Sequence, residues 1–109
     1  MESTAEKERA FEKAADATLH QLEDAIGALG LDVEVELQMG ILSLEFGDGV
    51  KFIINSHRAA RQIWMAADRT AWHFDPSADG AWVATKTGEH LRPTIAAVLS
   101  KKLNKPVSL

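Results

Sequence analysis

Leu31-Asp32-Val33-Glu34-Val35-Glu36-Leu37 decides the fold. Side chains on a strand alternate between two faces, so Leu31, Val33, Val35 and Leu37 point one way and Asp32, Glu34 and Glu36 the other. This is a half-buried strand with an apolar face that needs a cover and a wholly acidic outer face. The cover lies immediately upstream. Ser3-Thr4-Ala5-Glu6 has the form of a capping box, no Pro follows before Leu29, and Gly30 stands where a helix C-terminal cap is wanted. At about 100° per residue, Phe11, Ala15, Leu19, Leu22, Ile26 and Leu29 fall within a stripe about 80° wide. Glu12, Asp16 and Glu23 fall within about 40° of one another beside that stripe. The helix therefore packs one face on the strand layer and runs a line of carboxylates along the border.

Downstream, Met39-Gly40 turns the chain into a strand over Ile41–Phe46, with Leu42, Leu44 and Phe46 inward. Gly47-Asp48-Gly49 is a hairpin signal leading to Val50–Asn55, with Val50, Phe52 and Ile54 inward. Ser56–Arg61 is polar and reads as a loop. Gln62–Ala67 predicts a fourth strand in which Ile63 and Met65 are the core pair and Gln62, Trp64 and Ala66 face out. Ala71–Asp75 is a short aromatic strand, Asp75–Gly80 is dense in turn formers, and Ala81–Thr85 is a last short strand. Thr87 opens a second helix to Lys102, with Leu91, Ile95, Val98, Leu99 and Lys102 near one face; Pro93 requires the regular helix to begin close to it. Helix, antiparallel strands, helix is an α+β order: a two-layer α-β sandwich in which both terminal helices cover one face of a twisted sheet. The other sheet face is left to solvent or a partner.

A chain of 109 residues is a single domain able to bury its own core. It has no Cys, which excludes disulfides, a thiolate nucleophile, Cys-ligated zinc and a Cys-held iron–sulfur cluster. The net charge of −4 argues against binding phosphate backbones, so no nucleic-acid partner is expected. That charge is unevenly spread: ten acids against three bases up to Glu36, six against nine beyond it. A biased half points to a partner of opposite sign, here a metal ion or a basic protein surface. No apolar run approaches the roughly 20 residues of a membrane span, and the charged, Ala-rich start has neither a signal-peptide core nor an Arg-rich transit character. A cytoplasmic protein is the expectation.

Nucleophile chemistry finds little support: there is no Cys, no G-x-S-x-G, no phosphate-cradling Gly-rich loop and no Tyr. The four His lack paired metal-ligand spacing. His20 reads as a solvated helix residue bordering the acid line, His57 as a loop residue, His73 as a strand residue and His90 as a helix-start residue. The acids are the strongest signal. Exposed carboxylates along a helix and the following strand offer hard oxygen ligands to iron, manganese, magnesium or calcium. They form a line and do not converge, so such sites are weak, hydrated and plural. The bland alternative is a solvated face that keeps the protein soluble. Trp64, exposed among Gln62 and Ala66, is an interface anchor, whereas Trp72 and Trp82 serve packing.

From Asn55 the residues resemble a known family. Asn55-Ser56-His57-Arg58-Ala59-Ala60-Arg61-Gln62-Ile63-Trp64-Met65-Ala66, followed by Trp72-His73-Phe74-Asp75, is similar to the frataxin signature N-x-x-x-P-x-x-Q-[IV]-W-L-[AS]. Gly40-Ile41-Leu42-Ser43-Leu44-Glu45-Phe46 and Gly49-Val50-Lys51-Phe52-Ile53-Ile54-Asn55 resemble the family's preceding strands, and Thr87-Gly88-Glu89 the approach to its last helix. The resemblance spans Phe11 to Leu109 and is to the bacterial branch. Ala59 replaces the usual Pro, which predicts a less rigid loop; Thr70-Ala71 replaces the usual Gly-Gly; His57 stands where many members have Gln.

The resemblance implies an iron-binding protein that serves as iron-dependent regulator or iron supplier of iron–sulfur cluster assembly. Iron, Fe(II) or Fe(III), would be weakly held at several sites on a ridge of Glu12, Asp16, Glu23, Asp24, Asp32, Glu34 and Glu36. The implied partners are the cysteine desulfurase and the scaffold protein of that machinery, met by the ridge and by Asn55, Gln62 and Trp64. A monomer, or an oligomer formed in the presence of iron, without catalytic residues is expected. The alternatives are a ferroxidase or iron-storage oligomer, which would need converging Glu and His ligands, and a metal-independent acidic binding module.

Overall fold

The computed structural model describes residues 3–109; Glu2, counted among the acids above, lies outside them. Helix α1 spans Thr4–Ala28, and its N-cap is made: the Ser3 hydroxyl accepts the Glu6 backbone N–H at 3.1 Å. Leu29 is the C-cap and Gly30 follows with φ 64°. Phe11, Ala15, Leu19, Leu22 and Ile26 are buried, but Leu29, placed in the apolar stripe by its spacing, is exposed because the helix ends before it.

Six strands follow: β1 (Val33–Gln38), β2 (Ile41–Phe46), β3 (Lys51–His57), β4 (Gln62–Ala67), β5 (Thr70–Pro76) and β6 (Trp82–Ala84). Each pairs antiparallel with the next, so the sheet order is the chain order. Helix α2 (Leu91–Leu103) closes the fold, and both helices cover the sheet face that carries Leu42, Leu44, Phe52, Ile54, Ile63, Met65 and Phe74. This is the expected two-layer α+β sandwich. Trp82 closes the core at one end: its ring meets Phe11 edge-on at 5.8 Å and its indole N–H donates to the Thr18 hydroxyl at 2.9 Å.

Three local readings are corrected. Val50 is 41 % exposed. It is still in the hairpin, its carbonyl accepting from Phe46 N–H and its own N–H bonding the Asp48 carboxylate. β3 runs on through Ser56 and His57, which pair with Ile63 and Gln62, so the polar loop shrinks to Arg58–Arg61. Helix α2 begins at Leu91, with His90 as N-cap; Gly88, at φ 76°, belongs to a turn, and Pro93 sits in the first helical turn, where its missing N–H costs nothing. The tight turn before β5 lies two residues ahead of Thr70-Ala71: Asp68 and Arg69 take φ 50° and 60°, the mirror-image turn that suits a two-residue hairpin.

Candidate functional site

The uncovered sheet face is organised by register. Glu34 stands opposite Glu45, and Glu45 opposite Lys51; Gln38 stands opposite Ile41, Ile41 opposite Asn55, Asn55 opposite Trp64 and Trp64 opposite His73. Acids therefore collect at the β1 edge and aromatic rings toward the middle. Because β1 is an edge strand, its outward Glu34 and Glu36 also discourage pairing with another chain.

The ridge divides into sectors that differ in how free the carboxylates are. Asp32, Glu34 and Glu36 are exposed, and Asp32 and Glu34 share a shallow recess with Glu45, a further acid that composition had not singled out. The Lys51 ammonium reaches Glu45 at 3.9 Å and offsets part of that charge. On α1, Glu23 is half-buried and Asp24 exposed. Asp16 is capped by His20, whose Nδ1 lies 2.9 Å from the Asp16 carbonyl and 3.6 Å from its carboxylate. The hydrogen bond to that carbonyl, followed by the Asp16 charge, raises the His20 pKa above 6.5, with Glu23 and Asp24 adding to it. Glu12 is the least free of the set: Arg58 Nε lies 2.8 Å from its carboxylate and 3.0 Å from that of Glu8. The recess beside Glu12 and Asp16 is lined by Arg9, Lys13 and Arg58 as well. Among the described residues no three His, Asp or Glu side chains gather around one point that would hold an ion. The donors fit hard cations in oxygen chemistry, but as single or paired carboxylates completed by water.

Asn55, Gln62 and Trp64 come together as one patch. Trp64 faces out, half-buried, and its indole N–H donates to the Gln62 side-chain oxygen at 2.9 Å; Gln62 in turn donates to Asp75 at 3.0 Å. Both faces of the indole are covered. His57 stacks on one at 3.8 Å between centroids and 14°, and His73 on the other at 4.4 Å and 12°. The patch is thus a three-ring platform with an amide and a carboxylate at its rim. His57 and His73 were missed as members. The parity of Phe74, inward, places His73 outward beside Trp64, a signal present in the sequence; His57 needed the extra length of β3.

A family model described as the frataxin-like domain matches residues 4–105. The iron-sulfur cluster assembly protein CyaY of Vibrio cholerae is 34% identical over 100 residues, covering 92% of this chain and 95% of that one. That of Thioalkalivibrio sulfidiphilus is 36% identical over 102 residues, covering 91% and 95%. Among solved structures, the frataxin of Psychromonas ingrahamii superposes with a TM-score of 0.85 at 27% identity, over 93% of this chain and 95% of the other. The trimeric frataxin of the yeast Saccharomyces cerevisiae, complexed with ferrous iron, superposes with a TM-score of 0.73 at 28% identity, over 84% and 87%.

Proposed function

The chain belongs to the frataxin family, and from that premise we propose that it is an iron-binding accessory protein of iron–sulfur cluster assembly. The observation that carries the reading is the one-sided ridge, whose Asp32, Glu34 and Glu36 stay exposed beside Glu45 although like charges across a strand pair cost stability. Fe(II) or Fe(III) would sit on these oxygens and on those of Asp16, Glu23 and Asp24, weakly and at more than one position, with water filling the remaining coordination. The protein hands on or reports iron and does not oxidise it. The same negative field would steer a basic surface of the cysteine desulfurase onto the ridge. The platform of Asn55, Gln62 and Trp64 would give the second contact, with the scaffold protein as the further partner. Iron and partner compete for the same carboxylates, so each lowers the other's affinity by the same factor.

Charge reversal of Glu23, Glu34 and Glu36 tests this directly. Iron titration and desulfurase pull-down are both expected to weaken, and unchanged binding in the two assays rejects the ridge. Oxygen uptake with Fe(II) no faster than the buffer blank is the expected result for a carrier.

A further inference from the structure

The nine bases beyond Glu36 are not spread evenly: the fold gathers four of them around one hollow. It lies between the β2–β3 hairpin, the β4–β5 hairpin and the last turn of α2, and its volume of about 540 Å³ is within the range of ligand sites. Lys51, Arg69, Lys101 and Lys102 stand around it, with Asp68 as the one acid. The hollow thus takes four of the chain's 12 bases and one of its 16 acids, in a chain that is acidic as a whole. Between the charges the lining is apolar: Val50, Ala66 and Ala71 are exposed there and buried Phe52 lines it too. Two of the bases already hold carboxylates. Lys101 Nζ lies 2.7 Å from Asp68, and Lys102 pairs with Asp48; lysines in a last helical turn also offset the negative end of the helix. Arg69 has neither reason to be there. Among the described residues it ion-pairs with no carboxylate. It takes the second place of the β4–β5 turn at φ 60°, a left-handed position that favours glycine. An arginine kept at a strained position beside an uncovered apolar lining points to a use for its charge.

We propose that this hollow docks an acidic segment of a partner protein, with an apolar side chain set against Val50 and Phe52 and flanking carboxylates on Arg69 and Lys101. Charge complementarity selects that occupant. Four bases against one acid leave the rim at +3, and the Asp68 and Asp48 pairs show that its lysines accept carboxylate oxygens. An incoming carboxylate competes with Asp68 for Lys101 and meets Arg69 unopposed. A nucleic acid fits less well: it brings no apolar group for Val50, and its further phosphates would run toward Glu45, which Lys51 already reaches, and the acids of β1 beside it. A second copy of this chain would bring its acids on β1, whose outward residues Glu34, Glu36 and Gln38 include no apolar side chain to enter the hollow. A membrane asks for apolar groups that protrude, and Phe52 is buried behind the rim. The hollow shares no carboxylate with the ridge, so the proposal stands or falls apart from the iron reading.

Titration of the 15N-labelled protein with the capped peptide acetyl-Glu-Asp-Leu-Leu-Glu-Asp-amide provides the test. The backbone N–H signals of Lys51, Phe52, Ala67, Arg69 and Ala71 are expected to shift, while those of β1 and of Trp64 stay in place. Replacing Leu-Leu by Gly-Gly in the peptide should weaken binding, because the apolar lining is then left uncovered. Exchanging its acids for Lys should abolish binding. Arg69→Gln should weaken it about two- to five-fold, and adding Lys101→Gln should weaken it by a similar factor again. Arg69→Gly separates charge from folding: glycine relieves the left-handed position, so this variant should melt no lower than the wild type while binding as weakly as Arg69→Gln. The absence of localised shifts, equal binding of the Gly-Gly or Lys peptide, or undiminished affinity in Arg69→Gly overturns the proposal. Shifts at the same residues on diluting the protein alone would assign the hollow to a second copy. Tighter binding there of oligothymidylate or of phosphatidylserine vesicles would assign it to a nucleic acid or a membrane, and each of these outcomes overturns the proposal equally.

Discussion

Replacing Asp32→Asn, Glu34→Gln and Glu36→Gln together removes the exposed negative charge of β1 and of the residue just before it while keeping shape and hydrogen-bonding capacity. Successive outward residues on a strand are about 7 Å apart, and directly opposed residues across a pair about 5 Å. The wild type therefore holds three close like-charge contacts: Asp32 with Glu34, Glu34 with Glu36, and Glu34 with Glu45 opposite it. In water each is worth about 0.6 kcal/mol at 7 Å, and a Debye length of about 8 Å halves it. The three contacts sum to about 1 kcal/mol of repulsion. For 109 residues the unfolding entropy is about 0.23 kcal/mol/K, so the triple variant should melt about 4 °C higher. The gain should shrink in high salt. Thermal melts followed by circular dichroism measure it, and adding Mn(II) supplies the functional half. A tenfold excess over Kd stabilises a binder by about 1.4 kcal/mol, and the variant should lose most of that response. A variant that melts at or below the wild type, or that keeps the full Mn(II) response, refutes the view that β1 trades stability for cation binding.

Three further outcomes are expected. Gly40 has φ 77°, and a Cβ there would meet Ser56 Oγ at 2.7 Å; Gly40→Ala should cost about 1 kcal/mol in urea titration, most of it persisting when Ser56→Ala removes the contact, because the left-handed backbone is the larger problem. Ser100 Oγ accepts the Val107 N–H at 2.9 Å and so ties the C-terminal tail, with Val107 and Leu109, onto the core. Ser100→Ala should cost about 1 kcal/mol and speed proteolysis of the tail. The raised His20 pKa contributes stability that is fully present below the unfolded value of 6.5 and is lost as pH rises through the folded value, whereas the lowered pKa values of Asp48, held by Lys102, and Asp68, held by Lys101, contribute above the carboxylate range and fade as acid protonates them. His20→Gln should therefore melt below the wild type at pH 5.5 and match it at pH 9, with the His20 ring titration followed by NMR.

Which face of each element is buried was legible along the chain, because alternation and helical spacing are local. The parity of Ile63 and Met65 placed Trp64 outward correctly, and Ser3 to Glu6 marked the helix start to the residue. Where the reading failed, the competing signal was local too weakly or too strongly. Val50 continues an apolar alternation yet belongs to a hairpin, and Thr87-Gly88-Glu89 imitates a helix start although Gly88 takes a left-handed turn. The candidate acids were all visible, but their freedom was not. Nothing near Glu12 in sequence announces Arg58, because their pairing depends on how the β3–β4 turn meets α1.

By itself the sequence determined the layer order, the inward residues and the one-sided acidity of α1 and β1, since side-chain direction follows from backbone period alone. Only the tertiary structure decided that Glu45 joins Glu34, that Glu8 and Glu12 are already held by Arg58, and that His57 and His73 enclose Trp64. Those facts depend on strand register and on a helix laid across a turn some fifty residues away in the chain, and charges or rings that distant meet only when the whole core has set their separation.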